Sequence, residues 1–111
     1  MGTMSINGRT FEVDESGYLA DLNDWNTDVA TYLAALEGIA MNDRHWEVVH
    51  FLRHYYKQYR IAPMIKLLVR AVEKQLGPEK GNTKYLYELF PNGPAKQACR
   101  IAGLPKPSGC V

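Results

Sequence analysis

Residues 42–77 read "NDRHWEVVHFLRHYYKQYRIAPMIKLLVRAVEKQLG". Asn42 or Asp43 is a cap-type residue, and a helix is predicted to follow it for about four turns. Trp46, Val49, Leu52, Tyr56 and Tyr59 keep the three-and-four spacing of a buried stripe, with Val48 and Tyr55 widening it. "IAP" breaks the pattern. Pro63 suits the first turn of a second helix, in which Ile65, Leu68, Val69, Val72 and Leu76 share one face before Gly77 and Pro78 end it. Two amphipathic helices in succession, with no alternation of period two between them, set an all-α body.

Working outward, "DVATYLAALEG" follows the caps Asn26 and Thr27, with Val29, Leu33 and Leu36 on one face and Gly38 as a left-handed stop. Toward the C-terminus, "KYLYELF" follows Asn82 and Thr83 and ends at Pro91. Pro94 opens a last helix, "AKQACRIA", which Gly103 closes. At the other end, Asn7-Gly8 stands between two short alternating segments and supplies the positive φ angles of a two-residue hairpin turn. The expected fold is mainly α: about five helices around one core, a small N-terminal β-hairpin and a mobile C-terminal arm. A chain of 111 residues suits one domain. It is expected to cover residues 1–103, with residues 104–111 as the arm.

Apolar residues make up 46% of the chain, well above the disordered range. The N-terminus has neither a basic nor an apolar leader region and no apolar run is long enough to span a bilayer, so a cytoplasmic location is expected. Two cysteines in a reducing compartment are free thiols or a redox pair rather than a structural disulfide. The net charge of +1 conceals an asymmetry: residues 1–52 sum to −7 and residues 53–111 to +8. The cysteine-bearing half therefore presents a positive field to an acidic surface or a small anion.

Cys110, in "GLPKPSGCV", is the first candidate for chemistry. Pro105 and Pro107 favour an extended, stiff segment, and Gly103 and Gly109 read as hinges at its two ends. Nine residues from Gly103 reach roughly 30 Å, enough to enter a partner's channel. Cys99 lies late in the last helix, eleven positions earlier; it is either a small buried hydrophobe or a thiol that a curled arm can meet. Lys96, Arg100 and Lys106 flank both thiols and favour thiolates and bound anions, an effect that the C-terminal carboxylate beside Cys110 opposes. His50 and His54 stand at i, i+4 with His45 a turn earlier, but "HWEVVH" is not a zinc pattern and no further ligand is suitably spaced, so no metal is expected. These histidines read as partly exposed polar surface. The helix pair from Arg44 to Leu76, with Lys66, Arg70 and Lys74 on its second member, also has the outline of a helix-turn-helix DNA-binding regulator, which the near-neutral total charge disfavours.

The stretches "HWEVVHFLRHYY", "KGNTKYLYELFP", "GPAKQACRIAGLPKP" and the terminal "GCV" resemble the family of DsrC, the gamma subunit of dissimilatory sulfite reductase, and its relative TusE. The likeness runs over essentially the whole chain. It implies a helical fold with an N-terminal hairpin and a C-terminal arm, no cofactor, and a role as a protein co-substrate without turnover of its own. TusE-like members keep only the penultimate cysteine and act in sulfur relay for tRNA thiolation, whereas DsrC-like members carry both; Cys99 in "AKQAC" places this chain on the DsrC side. By that resemblance Cys110 carries sulfur as a persulfide and Cys99 is the resolving thiol. The implied partners are the catalytic subunits of dissimilatory sulfite reductase, sulfurtransferase relay proteins and a membrane-bound thiol–disulfide reductase complex, with the free protein a monomer.

Overall fold

A computed structural model of the chain describes residues 2–107. Strands β1 (Gly2–Ile6) and β2 (Arg9–Val13) pair antiparallel, with Met4 opposite Phe11 and Ile6 opposite Arg9. Asn7 at φ 51° and Gly8 at φ 81° make the tight turn that the sequence predicts. Ile6, Phe11 and Val13 are buried, so one face of the hairpin closes over the helices. Beyond β2 the carboxylate of Asp14 accepts from the backbone N–H groups of Ser16 and Tyr18, both at 2.9 Å, folding a turn that drives Tyr18 and Leu19 into the core.

A 3-10 turn at Leu22–Asp24 leads into five helices: α1 (Thr27–Leu36), α2 (Asp43–Tyr59), α3 (Ile65–Leu76), α4 (Thr83–Leu89) and α5 (Pro94–Ile101). Three begin on an asparagine whose side chain takes an orphan N–H: Asn26 from Val29, Asn42 from Arg44 and Asn82 from Tyr85. Helix α5 is the hub, touching each of the other four helices. Ala95, Ala98 and Cys99 on α5 are buried against neighbours that include Ala30 and Ala34 of α1. Small side chains let helices approach closely, so this shortest-armed face forms the centre of the core.

Three expectations change in detail. Leu36 and Tyr59 are not core residues; each is 55% exposed, because α1 and α2 bury faces centred on Val29, Ala30, Leu33 and on Val48, Val49, Leu52, and the helix ends rotate outward. Pro63 lies before the N-cap Met64 and so outside α3, buried in the connection. His45 is buried, not surface: its Nδ1 accepts from the N–H of Asn42 at 3.2 Å, and its Nε2 donates to the carbonyl of Leu89 at 2.9 Å. Both ring nitrogens are thereby occupied in tying the start of α2 to the end of α4, whereas His50 and His54 are exposed as expected. Among the described residues no helix is long and apolar enough to cross a membrane.

Candidate functional site

The candidate site is the end of α5 and the chain that leaves it. Helix α5 ends in a left-handed cap: Gly103 stands at φ 72°, its N–H donates to the carbonyl of Arg100 at 3.1 Å, and the N–H of Leu104 donates to that of Cys99 at 3.0 Å. The next two carbonyls are taken from outside the helix. The indole Nε1–H of Trp25 donates to Ile101 at 2.8 Å, and the Arg53 guanidinium donates to Ala102 at 2.7 Å and to Leu22 at 3.3 Å. Arg53 also lies 4.2 Å from the centre of the Trp25 ring. A helix end ordinarily leaves its last carbonyls to water; here each has a protein donor.

This clamp changes the reading of two residues. Gly103, expected as a hinge, is a helix stop packed under Trp25, and a Cβ added there would lie 2.5 Å from the indole. Leu104, assigned to the arm, is only 1% exposed and belongs to the core, so the exposed chain begins at Pro105. Cys110 and the second expected hinge, Gly109, lie outside the described residues.

Cys99 is fully buried, and it is unpaired among the described residues. Burial pushes its thiol up to about 12, so at neutral pH it is a thiol and not a nucleophilic thiolate. Tyr18 shares the core with it. The phenol is likewise pushed up to about 12, by burial first and then by the Cys99 charge that a thiolate would carry, and it donates to the carbonyl of Lys96 at 3.2 Å.

Lys96, Arg100 and Lys106 come together around a cleft of about 360 Å³, whose walls include Tyr18, Glu37 and Gln97. Their roles differ. The Arg100 Nε–H donates to the carbonyl of Gly17 at 3.0 Å and one terminal nitrogen lies 3.3 Å from Glu37, so this guanidinium is a strut between α5, the end of α1 and the turn that follows β2. Lys96 and Lys106 are exposed and form no ion pair among the described residues. Gln97 is buried; its Oε1 accepts from the N–H of Asn92 at 3.0 Å while its Nε2 has no protein partner among the described residues.

Trp25 and Arg53 are the residues that sequence patterns did not single out. A cation inside the apolar stripe of α2, between Leu52 and Tyr56, is the signal that could have found Arg53. Trp25 leaves a weaker one, a large aromatic in a polar turn before a cap. Burial of Cys99 was legible too: Ala95, Ala98, Cys99 and Ala102 follow i, i+3, i+4, i+7.

The fold and site define a small helical protein with an N-terminal hairpin, in which every carbonyl at the end of the last helix has a protein donor. The chain belongs to the DsrC like protein family, whose model matches residues 5–111. The sulfurtransferase TusE homolog of Haemophilus influenzae is 49% identical over 97% of this chain and 99% of its own length. Among solved structures, DsrC of Allochromatium vinosum is 56% identical with a TM-score of 0.89, covering 98% of this chain and 97% of that one. The oxidized gamma-subunit of the dissimilatory sulfite reductase from Archaeoglobus fulgidus is 40% identical with a TM-score of 0.82, covering 99% and 100%.

Proposed function

We propose that the chain is a sulfur-relay protein that carries sulfane sulfur as a persulfide on Cys110, in the manner of the TusE sulfurtransferases. The observation that carries this is the extent of the family match, which runs to residue 111 and so includes the penultimate cysteine. The step is an exchange without net redox change. The Cys110 thiolate attacks the terminal sulfur of a donor persulfide, a new sulfur–sulfur bond forms as the donor's bond breaks, and the donor leaves as its thiolate. Burial of Cys99 supports a carrier that works through one thiol. Cys110 stands six positions beyond the anchored Leu104, a reach of about 20 Å. Lys96 and Lys106 meet the partner or the anionic sulfur as it arrives, and Gly109 gives the tip its freedom. The relay works in the cytoplasm with other sulfurtransferases, feeding reactions such as tRNA thiolation.

Cys99 itself favours a second reading, together with the likeness to the Allochromatium vinosum DsrC structure. In it the partners are the catalytic subunits of dissimilatory sulfite reductase, Cys99 resolves the loaded Cys110, and a membrane-bound thiol–disulfide reductase recycles the bridge. No finding favours DNA binding by α2 and α3. The two sulfur readings separate in one experiment. After polysulfide treatment, intact mass should show one added sulfur on wild type and on Cys99→Ser, and none on Cys110→Ser. Loading that persists in Cys110→Ser sinks the carrier reading. Relay to an acceptor that fails in Cys99→Ser, with a two-dalton loss in oxidised wild type, selects the sulfite reductase reading.

A further inference from the structure

A second cleft, of about 450 Å³, opens on the other side of the arm root, with Leu104 in its wall. Helix α2 supplies most of the rest: His50, Arg53, His54 and Lys57 follow i, i+3, i+4, i+7, and Arg60 continues the line. Among the described residues no carboxylate lines it. Arg53 is committed to the carbonyls of Leu22 and Ala102, but Lys57 and Arg60 are exposed and form no ion pair among the described residues. Arg60 stands out further. It ends α2 at φ 60°, a left-handed conformation in which glycine or asparagine costs less. A strained cap that keeps a guanidinium at the mouth of a basic cleft points to use of that charge.

We propose that this cleft is a docking surface for an acidic segment of the protein that exchanges sulfur with Cys110. The inference rests on the carrier reading and adds the partner's chemistry. The clamp fixes where the chain leaves the body, so when the tail enters a partner's active site the surface beside Leu104 meets the rim of that entrance. Unpaired cations at such a rim accelerate encounter with an acidic surface and set the orientation of docking. The cleft suits a protein better than a polynucleotide. Among the described residues Tyr56 is the one phenol or indole ring in its wall and is half-buried, and the His50 imidazole is already stacked on Trp46 with ring centroids 5.9 Å apart, so the cleft lacks the row of free stacking faces on which single strands lie.

The test uses the full chain and two labelled probes, a twelve-residue peptide of Asp, Glu and Gly and a single-stranded RNA of mixed sequence, read by fluorescence anisotropy and amide chemical shifts. The peptide should shift the amides of residues 53–60 and Leu104. The double variant Lys57→Glu/Arg60→Glu should weaken it at least about tenfold, and higher salt should do the same in wild type. The control Lys66→Glu/Arg70→Glu, on α3, should change affinity less than about twofold. Equal losses in both variants, or shifts mapping to α3, would mean diffuse attraction to a basic half and overturn the proposal. RNA binding tighter than peptide at the same amides would overturn it in favour of a nucleic-acid surface. Polysulfide loading of wild-type Cys110 is measured separately, so loss of the carrier reading is told apart from loss of the docking one.

Discussion

Cys99 should be almost inert in the native protein, and the structure sets the scale. Its thiol is fully buried, and burial pushes it up to about 12 from an ordinary 9.0. At any pH well below both values the thiolate fraction therefore falls by about a thousandfold on folding, and alkylation, which needs the thiolate, falls with it. Blocked access can only slow it further. Pulse labelling with iodoacetamide in native buffer and in urea, followed by peptide mass mapping, measures the ratio for the same residue in the same chain. Native labelling about a thousandfold slower is expected, with Cys110 labelled first. A native rate within about tenfold of the urea rate would refute the burial argument, because it would require the end of α5 to open a large fraction of the time. Arg53→Ala supplies the complementary perturbation: removing the donor to Ala102 and Leu22 leaves carbonyls unsatisfied, and Cys99 should then label faster than in wild type.

Gly103→Ala combines an unfavourable left-handed backbone with a methyl driven into Trp25, and should cost about 2 to 4 kcal/mol in urea unfolding with a shift in tryptophan emission; a loss below about 0.5 kcal/mol would show that the clamp is loose. Alkaline pH should weaken the fold through Cys99 and Tyr18, whose folded values near 12 exceed their ordinary 9.0 and 10.0. Both favour the neutral form in the folded state, so their stabilisation is intact below about pH 9 and lost as pH rises toward 12. Between about pH 8 and about pH 10.5 the loss should be on the order of 2 kcal/mol, and smaller in Cys99→Ala/Tyr18→Phe than in wild type when each is compared with itself at lower pH.

Local rules carried most of the fold. Asparagine caps, glycine stops and the Asn7-Gly8 turn are decided within a few residues, and each of the five helices and the hairpin stands where those signals fall. What escaped depends on contacts distant in sequence. Arg53 and Trp25 reach Ala102 and Ile101 across 49 and 76 positions, and nothing local announces a hydrogen bond to the end of another helix. Leu36 and Tyr59 failed for a related reason. Periodicity names a face but cannot say where along a helix its partner stops, so the last apolar residue of an amphipathic stripe can stand in solvent. For the site, the basic residues around the tail were visible as charges, yet only geometry separated Arg100, spent on Glu37 and Gly17, from the exposed Lys96 and Lys106.

In the proposed role, delivery of an atom on the protein's own C-terminus, reach and aim make opposite demands. Reach needs chain beyond the last packed residue, and aim needs that chain to leave from a defined point. Here the division falls between Leu104, which is buried, and Pro105, which is exposed. On the body side an indole, a guanidinium and a left-handed cap satisfy every terminal carbonyl of α5. The same cap bonds Leu104 to the carbonyl of Cys99, so the residue that anchors the tail is tied directly to the residue carrying the second thiol. A bridge between Cys99 and Cys110 would have to expose a sulfur that lies beneath this anchor. Any use of Cys99 therefore requires the end of α5 to loosen, and in the proposed carrier the same clamp would govern whether one thiol works or two.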